Sequence, residues 1–423
     1  MTQKRIKVLV LSDHPFSPSG VGTQTKYMIE ALLESDKFDF ICLGGAVKHQ
    51  DYAPRKVEPW DDRFVIIPVD GYGSPDMIRS LMINHKPDIL WFMTDPRFYG
   101  WLWEMEDEIR QHIPMVYYHV WDNYPYPEFN AKFYASNDLV VTISKLTSDV
   151  VRNVCPEVDE HYLPHSVDTD IFRKLPDEDV RAFRDSLFEK AKNYNSDSTV
   201  FFWNNRNARR KLSGSVLWWF SEFLKEVGHD KAALILHTDP KDPHGQDLVA
   251  IMHRLGLTNG EVLLSTNKYP PEQLSMIYNA VDCTINVSDA EGFGLATFES
   301  LSCETPIIVN MTGGLQEQVT DGKNWFGIGL EPTSKAIVGS QDVPYIYEDR
   351  VSGEELVGAL RKIHNMTIEE RAAIGKLGRE HVDNNYSYDQ YRRRWVKIML
   401  GVHEKFGSWE NRKNYNRWEL TEL

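Results

Sequence analysis

Short, unbroken apolar runs alternate along this chain with longer stretches whose apolar residues recur every three or four positions. RIKVLVLS (5–12) is the first such run and TKYMIEALLES (25–35) the first amphipathic stretch. Continuous β-branched runs read as strands buried on both faces, and the three-to-four spacing reads as helix. The alternation continues through FDFICLGG (38–45), RFVIIPVD (63–70), MIRSLMINHKPDILWFMT (77–94), WLWEMEDEIRQHIP (101–114), MVYYHVWD (115–122) and DLVVTISKLTSDVVRNV (138–154). After an acidic helix at 177–192 it resumes with VFFW, KAALILHTDP (231–240), VLLSTNKY (262–269), TINV and PIIVN. Strands that alternate with helices predict doubly wound parallel α/β sheets. A helix is also expected over 385–402.

Residues 284–320, TINVSDAEGFGLATFESLSCETPIIVNMTGGLQEQVT, read as strand, glycine turn, helix, strand, glycine turn. Parallel sheets bind ligands at the carboxyl ends of their strands. Glycines at a helix start let backbone amides approach an anion, and the helix dipole favours negative charge there. Glu291 and Glu299 bring carboxylates to the same place, with Glu317 beyond Gly313-Gly314. Amides for phosphate and carboxylates for hydroxyls suit a sugar nucleotide. Between VFFW and the next helix, Arg206, Arg209, Arg210 and Lys211 form a basic loop. Arginine offers phosphate a planar fork and lysine a point charge. Gly20-Val21-Gly22 makes a poor dinucleotide fingerprint, because the third glycine falls at Thr25. His119 stands at a strand end beside Asp122. Tyr117, Trp121, Tyr124 and Tyr126 are either an acceptor platform or core.

E-G-F-G, then E-S-L, T-P-I-I and T-G-G-L-Q-E together resemble the donor site of the retaining GT-B glycosyltransferases of family four, which use E-x7-E. That resemblance implies two Rossmann-like doubly wound domains facing across a cleft, with the last helix crossing back to the first domain. It implies an N-terminal acceptor domain at 1–168, a donor domain at 169–390, and a crossover helix and tail at 391–423. Glu299 would bind ribose hydroxyls and Glu291 the donor sugar's hydroxyls. The amides of Gly292, Phe293, Gly294 and Leu295 would lie beside sugar and phosphate. Arg206 and Lys211 match the family's spaced Arg and Lys on the diphosphate, while Arg209 and Arg210 are left to solvent. Gly20 and Gly22 match its phosphate-side loop. His119 takes the place of a histidine facing donor sugar and acceptor, and Trp121, Asp122 and Tyr124 become acceptor residues. Thr266–Tyr269 would lie against the nucleobase. Catalysis falls to Glu291, His119, Arg206 and Lys211. The resemblance implies transfer with retention from a nucleoside-diphosphate sugar, UDP-sugar favoured by family frequency, to a glycan, small molecule or protein.

Composition changes this picture little. A chain of 423 residues exceeds one core, so two or three domains are expected. A net charge of −15 disfavours a modified nucleic acid as acceptor, which remains the alternative beside a non-catalytic sugar-nucleotide-binding protein. The four scattered cysteines form no C-x-x-C, so neither zinc nor disulfides are expected, and a reducing, cytoplasmic setting is. No apolar run approaches a membrane span, so no membrane insertion is expected. Asp168 and Asp170 read as turn and cap residues. His237, Asp239, Asp242 and His244 read as loop polarity, so no metal and no cofactor is expected. Residues 331–350 read as an insertion without assigned role, and His165 as an unassigned polar residue.

Overall fold

The computed structural model describes residues 4–189, 191–192, 194 and 197–415. The chain forms two compact units. The first comprises Met1–Ser166, Gly339–Pro344 and Asp389–Leu423, and the second Val167–Val338 and Tyr345–Tyr388. The divisions fall after residues 166, 338, 344 and 388; divisions after 168 and 390 were expected.

In the first unit, strands run in the order Arg55–Val57, Asp61–Pro68, Phe38–Gly45, Ile6–Asp13, Ile89–Thr94, Met115–His119, Leu139–Thr142, Glu160–Tyr162. Neighbours pair parallel except Arg55–Val57, an antiparallel edge strand that the sequence pattern does not announce. Chain order reverses between Ile6–Asp13 and Ile89–Thr94. This is the switch point, where loops diverge to opposite faces and leave a crevice at the strands' carboxyl ends.

In the second unit, the order is Val262–Ser265, Ala232–His237, Thr199–Asn204, Cys283–Asn286, Ile307–Asn310, Gly327–Leu330. All its pairs are parallel. Its switch point lies between Thr199–Asn204 and Cys283–Asn286. The helix Ser213–Val227 packs Val216, Leu217, Phe220, Phe223 and Leu224 against Phe201, Leu234 and Ile285 in one buried core. The apolar positions recur at helical spacing, which is why this segment reads correctly as helix.

The chain's last helix, Tyr388–Phe406, places Trp395 in the first unit's core. Trp395 is fully buried, edge-on to Trp91 at 5.9 Å and to Tyr118 at 5.0 Å. Beyond it, Ser408 Oγ donates to Asp88 (2.8 Å), Trp409 Nε1 to the Pro87 carbonyl (2.8 Å), and Arg412 pairs with Asp138 (2.6 Å). The end of the expected packing tail, 416–423, lies outside the described residues.

Two expectations need correction, and one segment left without a role gains a structure. The helix over 385–402 is two: Ile368–Asn385 ends and Tyr388–Phe406 begins, because Ser387 turns extended to bridge Val167. The acidic helix spans Asp177–Leu187 rather than 177–192. Within the insertion 331–350, Ser334–Val338 and Ile346–Arg350 pair as an antiparallel hairpin.

Truncating Trp395 tests how the last helix holds the first unit. Trp395→Ala should lower unfolding free energy by about 3–5 kcal/mol, the cost of a large buried aromatic. Urea denaturation followed by circular dichroism reads it, and a loss under 1 kcal/mol would contradict the packing role.

Candidate active site

The loops leaving the second unit's switch point bring Lys211 and Glu291 together. Lys211 ends the short turn after Thr199–Asn204, and Glu291 lies in the loop after Cys283–Asn286. Lys211 Nζ donates to Glu291 Oε2, and Asn286 Nδ2 approaches the same oxygen at 3.2 Å. Both side chains are buried. Burial alone would raise the Glu291 carboxyl. The charges of Lys211 and Arg210 and the hydrogen bonds of Lys211 and Asn286 outweigh it and hold the group at about 2.

Glycine makes this loop possible. Gly294 has φ +93° and opens the helix Leu295–Ser302 with no side-chain cap on its first amides. Uncapped amides at a helix start are free donors for an anion. Gly313 has φ +51°, and a Cβ there would overlap the Glu291 carbonyl oxygen. A Cβ on Gly314 would stand 2.6 Å from the Gly292 carbonyl oxygen. The second glycine turn therefore packs backbone on backbone against the first, and Gly314 N donates to Glu291 O at 3.0 Å. Thr297 and Gln318 lock the corner: Thr297 Oγ1 donates to Gln318 Oε1 (2.8 Å), and Gln318 Nε2 to Phe293 O (2.6 Å). Phe293 itself is core, its ring facing Phe298 and Tyr386. Only its backbone borders the site.

Glu299 sits on the second turn of that helix. It accepts from Tyr278 Oη (2.7 Å), which in turn accepts from Asn204 Nδ2 (2.8 Å) at the neighbouring strand end. Burial pushes the Glu299 carboxyl up to about 7, with the Tyr278 hydrogen bond offsetting part of it. His237, at the next strand end, stacks on Tyr269 at 5.4 Å and bonds Ser265 (2.8 Å).

Arg206 stands apart from the Lys211–Glu291 pair. Its exposed guanidinium is bound to Asp242 (2.7 Å) and His244 (2.8 Å). Asp242 is thereby a partner of arginine, and His244 and Asp242 form a turn. Among the described residues, no group of three or more His, Cys, Asp or Glu has metal-ligand geometry. Asp168 Oδ1 accepts from the Asp170 and Ile171 amides as a turn residue.

Arg209, though exposed, and Arg210 both have protein partners. Arg210 donates to the Ala290 carbonyl. Arg209 forks onto Glu348 of the insertion hairpin, through Nη1 at 2.8 Å and through Nη2. Glu348 also accepts from Arg350 Nη2 (3.1 Å), and Asp349 accepts from Thr312 Oγ1 (2.7 Å). The hairpin is thus fastened to the glycine loops, which its sequence gave no means to foresee. Asp289 is buried between them, 3.7 Å from Arg350, and burial pushes its carboxyl up to about 6.

The remaining candidates lie in the first unit. Gly20 and Gly22 open the helix Gly20–Glu34, where Ser19 caps Gly22 N at 3.0 Å. A Cβ on Gly22 would stand 2.7 Å from the His14 carbonyl, so this glycine serves close packing of the loop. His119 is enclosed rather than presented: it is fully buried, Nε2 meets Tyr134 Oη at 2.8 Å, and burial drops the ring to about 3. Trp121 is 5% exposed and donates to the Asn123 carbonyl (2.7 Å), so it is core and not platform. Tyr124 is held by Asp149 (2.7 Å), and Asp122 is partly exposed. His165 is buried against Tyr118 Oη at 2.8 Å.

Residues 246–380, which include the glycine loops and both glutamates, match the family described as glycosyl transferases group 1. A D-inositol 3-phosphate glycosyltransferase of Segniliparus rotundus is 33% identical over 76 residues, 18% of this chain and 16% of that relative. The chain therefore aligns with less than a fifth of that relative's length. The sucrose-phosphate synthase structure from Thermosynechococcus elongatus superposes with a TM-score of 0.74 at 16% identity, over 95% of this chain and 100% of that one. HepE of Anabaena, in complex with UDP and glucose, gives 0.68 at 15% identity, over 94% and 100%. The fold is GT-B, with its two Rossmann-like sheets. No helix among the described residues is long and apolar enough to cross a membrane.

Glu299 supplies a pH test of this site. Its folded carboxyl holds a proton above the ordinary 4.5, up to about 7. Across that window the fold binds more protons than the unfolded chain, so stability falls as pH rises. Glu299→Gln removes this loss. The variant should gain on the wild type by about 2 kcal/mol between those pH values, discounted because the carboxyl is partly exposed. Urea unfolding at a series of pH values checks it, and a pH-independent difference contradicts it.

Proposed function

We propose that this protein is a glycosyltransferase that takes a sugar from a nucleoside-diphosphate sugar, UDP-sugar first, and transfers it with retention and without a metal. The observation that carries this reading is the buried Lys211–Glu291 pair beside the uncapped amides of the helix Leu295–Ser302. A glycine loop that offers amides and a cation suits a leaving diphosphate. A carboxylate kept ionised at about 2 suits the hydroxyls of the sugar attached to it. The UDP-and-glucose complex of the Anabaena neighbour supports the choice of donor.

In this reading Lys211 and the loop amides stabilise the charge that develops on the departing diphosphate, which is where fixed dipoles contribute most. Glu291 accepts from hydroxyls of the donor sugar and orients its anomeric carbon. Glu299 accepts from the ribose hydroxyls, with Tyr278 fixing its rotamer. Arg206 joins the diphosphate by exchanging Asp242 for it. Retention follows from attack on the face that the diphosphate leaves, assisted by the leaving phosphate. His119 stays neutral at pH 7 and serves in the first unit's packing.

Incubation with UDP-glucose, EDTA and a mixture of sugars and polyols tests this directly. The expected outcome is UDP release and an α-glucosidic anomeric proton by NMR, with Glu291→Gln at least 100-fold slower, the magnitude of a lost charge-oriented contact. A β-linked product would overturn retention. Activity abolished by EDTA would overturn metal independence. UDP release unchanged in Glu291→Gln would overturn the assigned role.

A further inference from the structure

The insertion hairpin touches both loops that carry the Lys211–Glu291 pair, two residues away from each member. On the cation's side, Glu348 accepts the Arg209 fork. On the carboxylate's side, Asp349 N donates to the Asp289 carbonyl at 2.9 Å, and Asp289 N donates in turn to the Arg210 carbonyl at 2.8 Å. A line of backbone hydrogen bonds thus joins hairpin, glycine loop and basic loop. Asn310 Nδ2 fastens it from the neighbouring strand end, donating to the Ser288 and Asp349 carbonyls at 2.9 Å each.

At the centre of this seam lies a carboxyl group with no hydrogen bond. Asp289 is 1% exposed, and among the described residues neither of its side-chain oxygens has a donor. Arg350 Nη2 is 3.7 Å away, but the same nitrogen donates to Glu348 at 3.1 Å. A buried carboxylate needs donors to stay charged. This seam suits the protonated acid, and burial is what pushes the group up to about 6. Arg350 and Arg209 offset part of that, and Glu348 and Asp349 add to it.

The other charged groups on the seam have partners. Burial works against the charge of Glu348, but the Arg209 fork and Arg350 outweigh it and hold its carboxyl below the ordinary range. Asp349 accepts from Thr312 and lies 3.7 Å from Lys335. Glu291 is held at about 2 by the causes given above. Arg209, Arg210 and Arg350 are cations at every working pH. Asp289 is therefore the group of the seam placed to change charge near neutrality.

We infer that the hairpin is a proton-operated brace on the Lys211–Glu291 site, closed while Asp289 is protonated and loosened when it ionises. Opening lets water reach Asp289, whose carboxyl then returns to the ordinary 3.8. The closed form holds the proton more tightly than the open form, so rising pH favours opening. Protonation also removes a negative charge from beside Arg209, Arg210 and Lys211, which favours an anion there. Acid thus closes the brace and strengthens binding of the donor diphosphate together. The coupling to a donor rests on the glycosyltransferase reading above; the brace does not.

Hydrogen exchange read by mass spectrometry on the full chain, at pH 5 and pH 7.5 and corrected for intrinsic rates, tests the brace. Peptides covering Ile346–Arg350 should lose protection about tenfold at the higher pH, the linkage of a carboxyl moved from 3.8 to about 6. Asp289→Asn keeps the shape of the protonated acid, so it should hold the pH 5 protection at both values. Equal protection at both values in the wild type overturns the brace, and so does the same loss in Asp289→Asn. Calorimetric titration of UDP-glucose, which has no group of its own titrating near neutrality, tests the coupling. At pH 6, in two buffers of different ionisation enthalpy, it should show more proton uptake in the wild type than in Asp289→Asn. Equal uptake overturns the coupling. No binding of UDP-glucose overturns the donor reading and the coupling with it, while exchange still decides the brace.

Discussion

The buried ion pair between Lys211 and Glu291 is the constraint on which the second unit's chemistry depends. Two charges withdrawn from water cost several kcal/mol each, and only close pairing with further hydrogen bonds repays that. Here Asn286 supplies one such bond and Arg210 a second positive charge nearby. A pair of this kind is poor value as a stabiliser, and a hydrophobic pair would serve as well. It makes sense as a prepared site. In the proposed reading, the cation and the anion exchange each other for a diphosphate and a hydroxyl without rearranging the backbone.

The backbone around the pair is correspondingly rigid. Gly313 and Gly314 allow one loop to lie directly on another, and Thr297 and Gln318 bond the two together. The hairpin Ser334–Val338/Ile346–Arg350 adds a second brace through Glu348 and Asp349. Arg209 is thereby occupied by protein and not by ligand. The first unit repeats the switch-point topology with Asp13, held by Tyr72 and Ser19, at its central strand end, where the second unit has cations and glycine amides.

Much of this was legible in the sequence. Continuous apolar runs gave the parallel strands because both faces of such sheets are buried. Gly294 and Gly313 were legible because a positive φ favours glycine, and Gly314 because a Cβ there would stand against the Gly292 carbonyl. Glu291 and Lys211 were placed in the loops that follow strands, and Glu299 on the helix beyond, where they stand. What was hidden depends on distance along the chain. Nothing local says that Glu348 meets Arg209, that Asp242 holds Arg206, or that Ser387 breaks a helix to pair with Val167. The enclosure of His119 and Trp121 was hidden because a polar or aromatic residue at a strand end reads alike whether it faces a crevice or is roofed by a neighbour such as Tyr134.

Calorimetric titration of UDP into the wild type and into Lys211→Met tests the central claim most directly. Methionine keeps the stem's volume and packing while removing the charge, and circular dichroism verifies that the variant folds. Binding in the wild type that weakens at least tenfold in the variant, about 1.4 kcal/mol, is the predicted result. Equal affinity in both proteins, or none in the wild type, would contradict a donor site built on this pair.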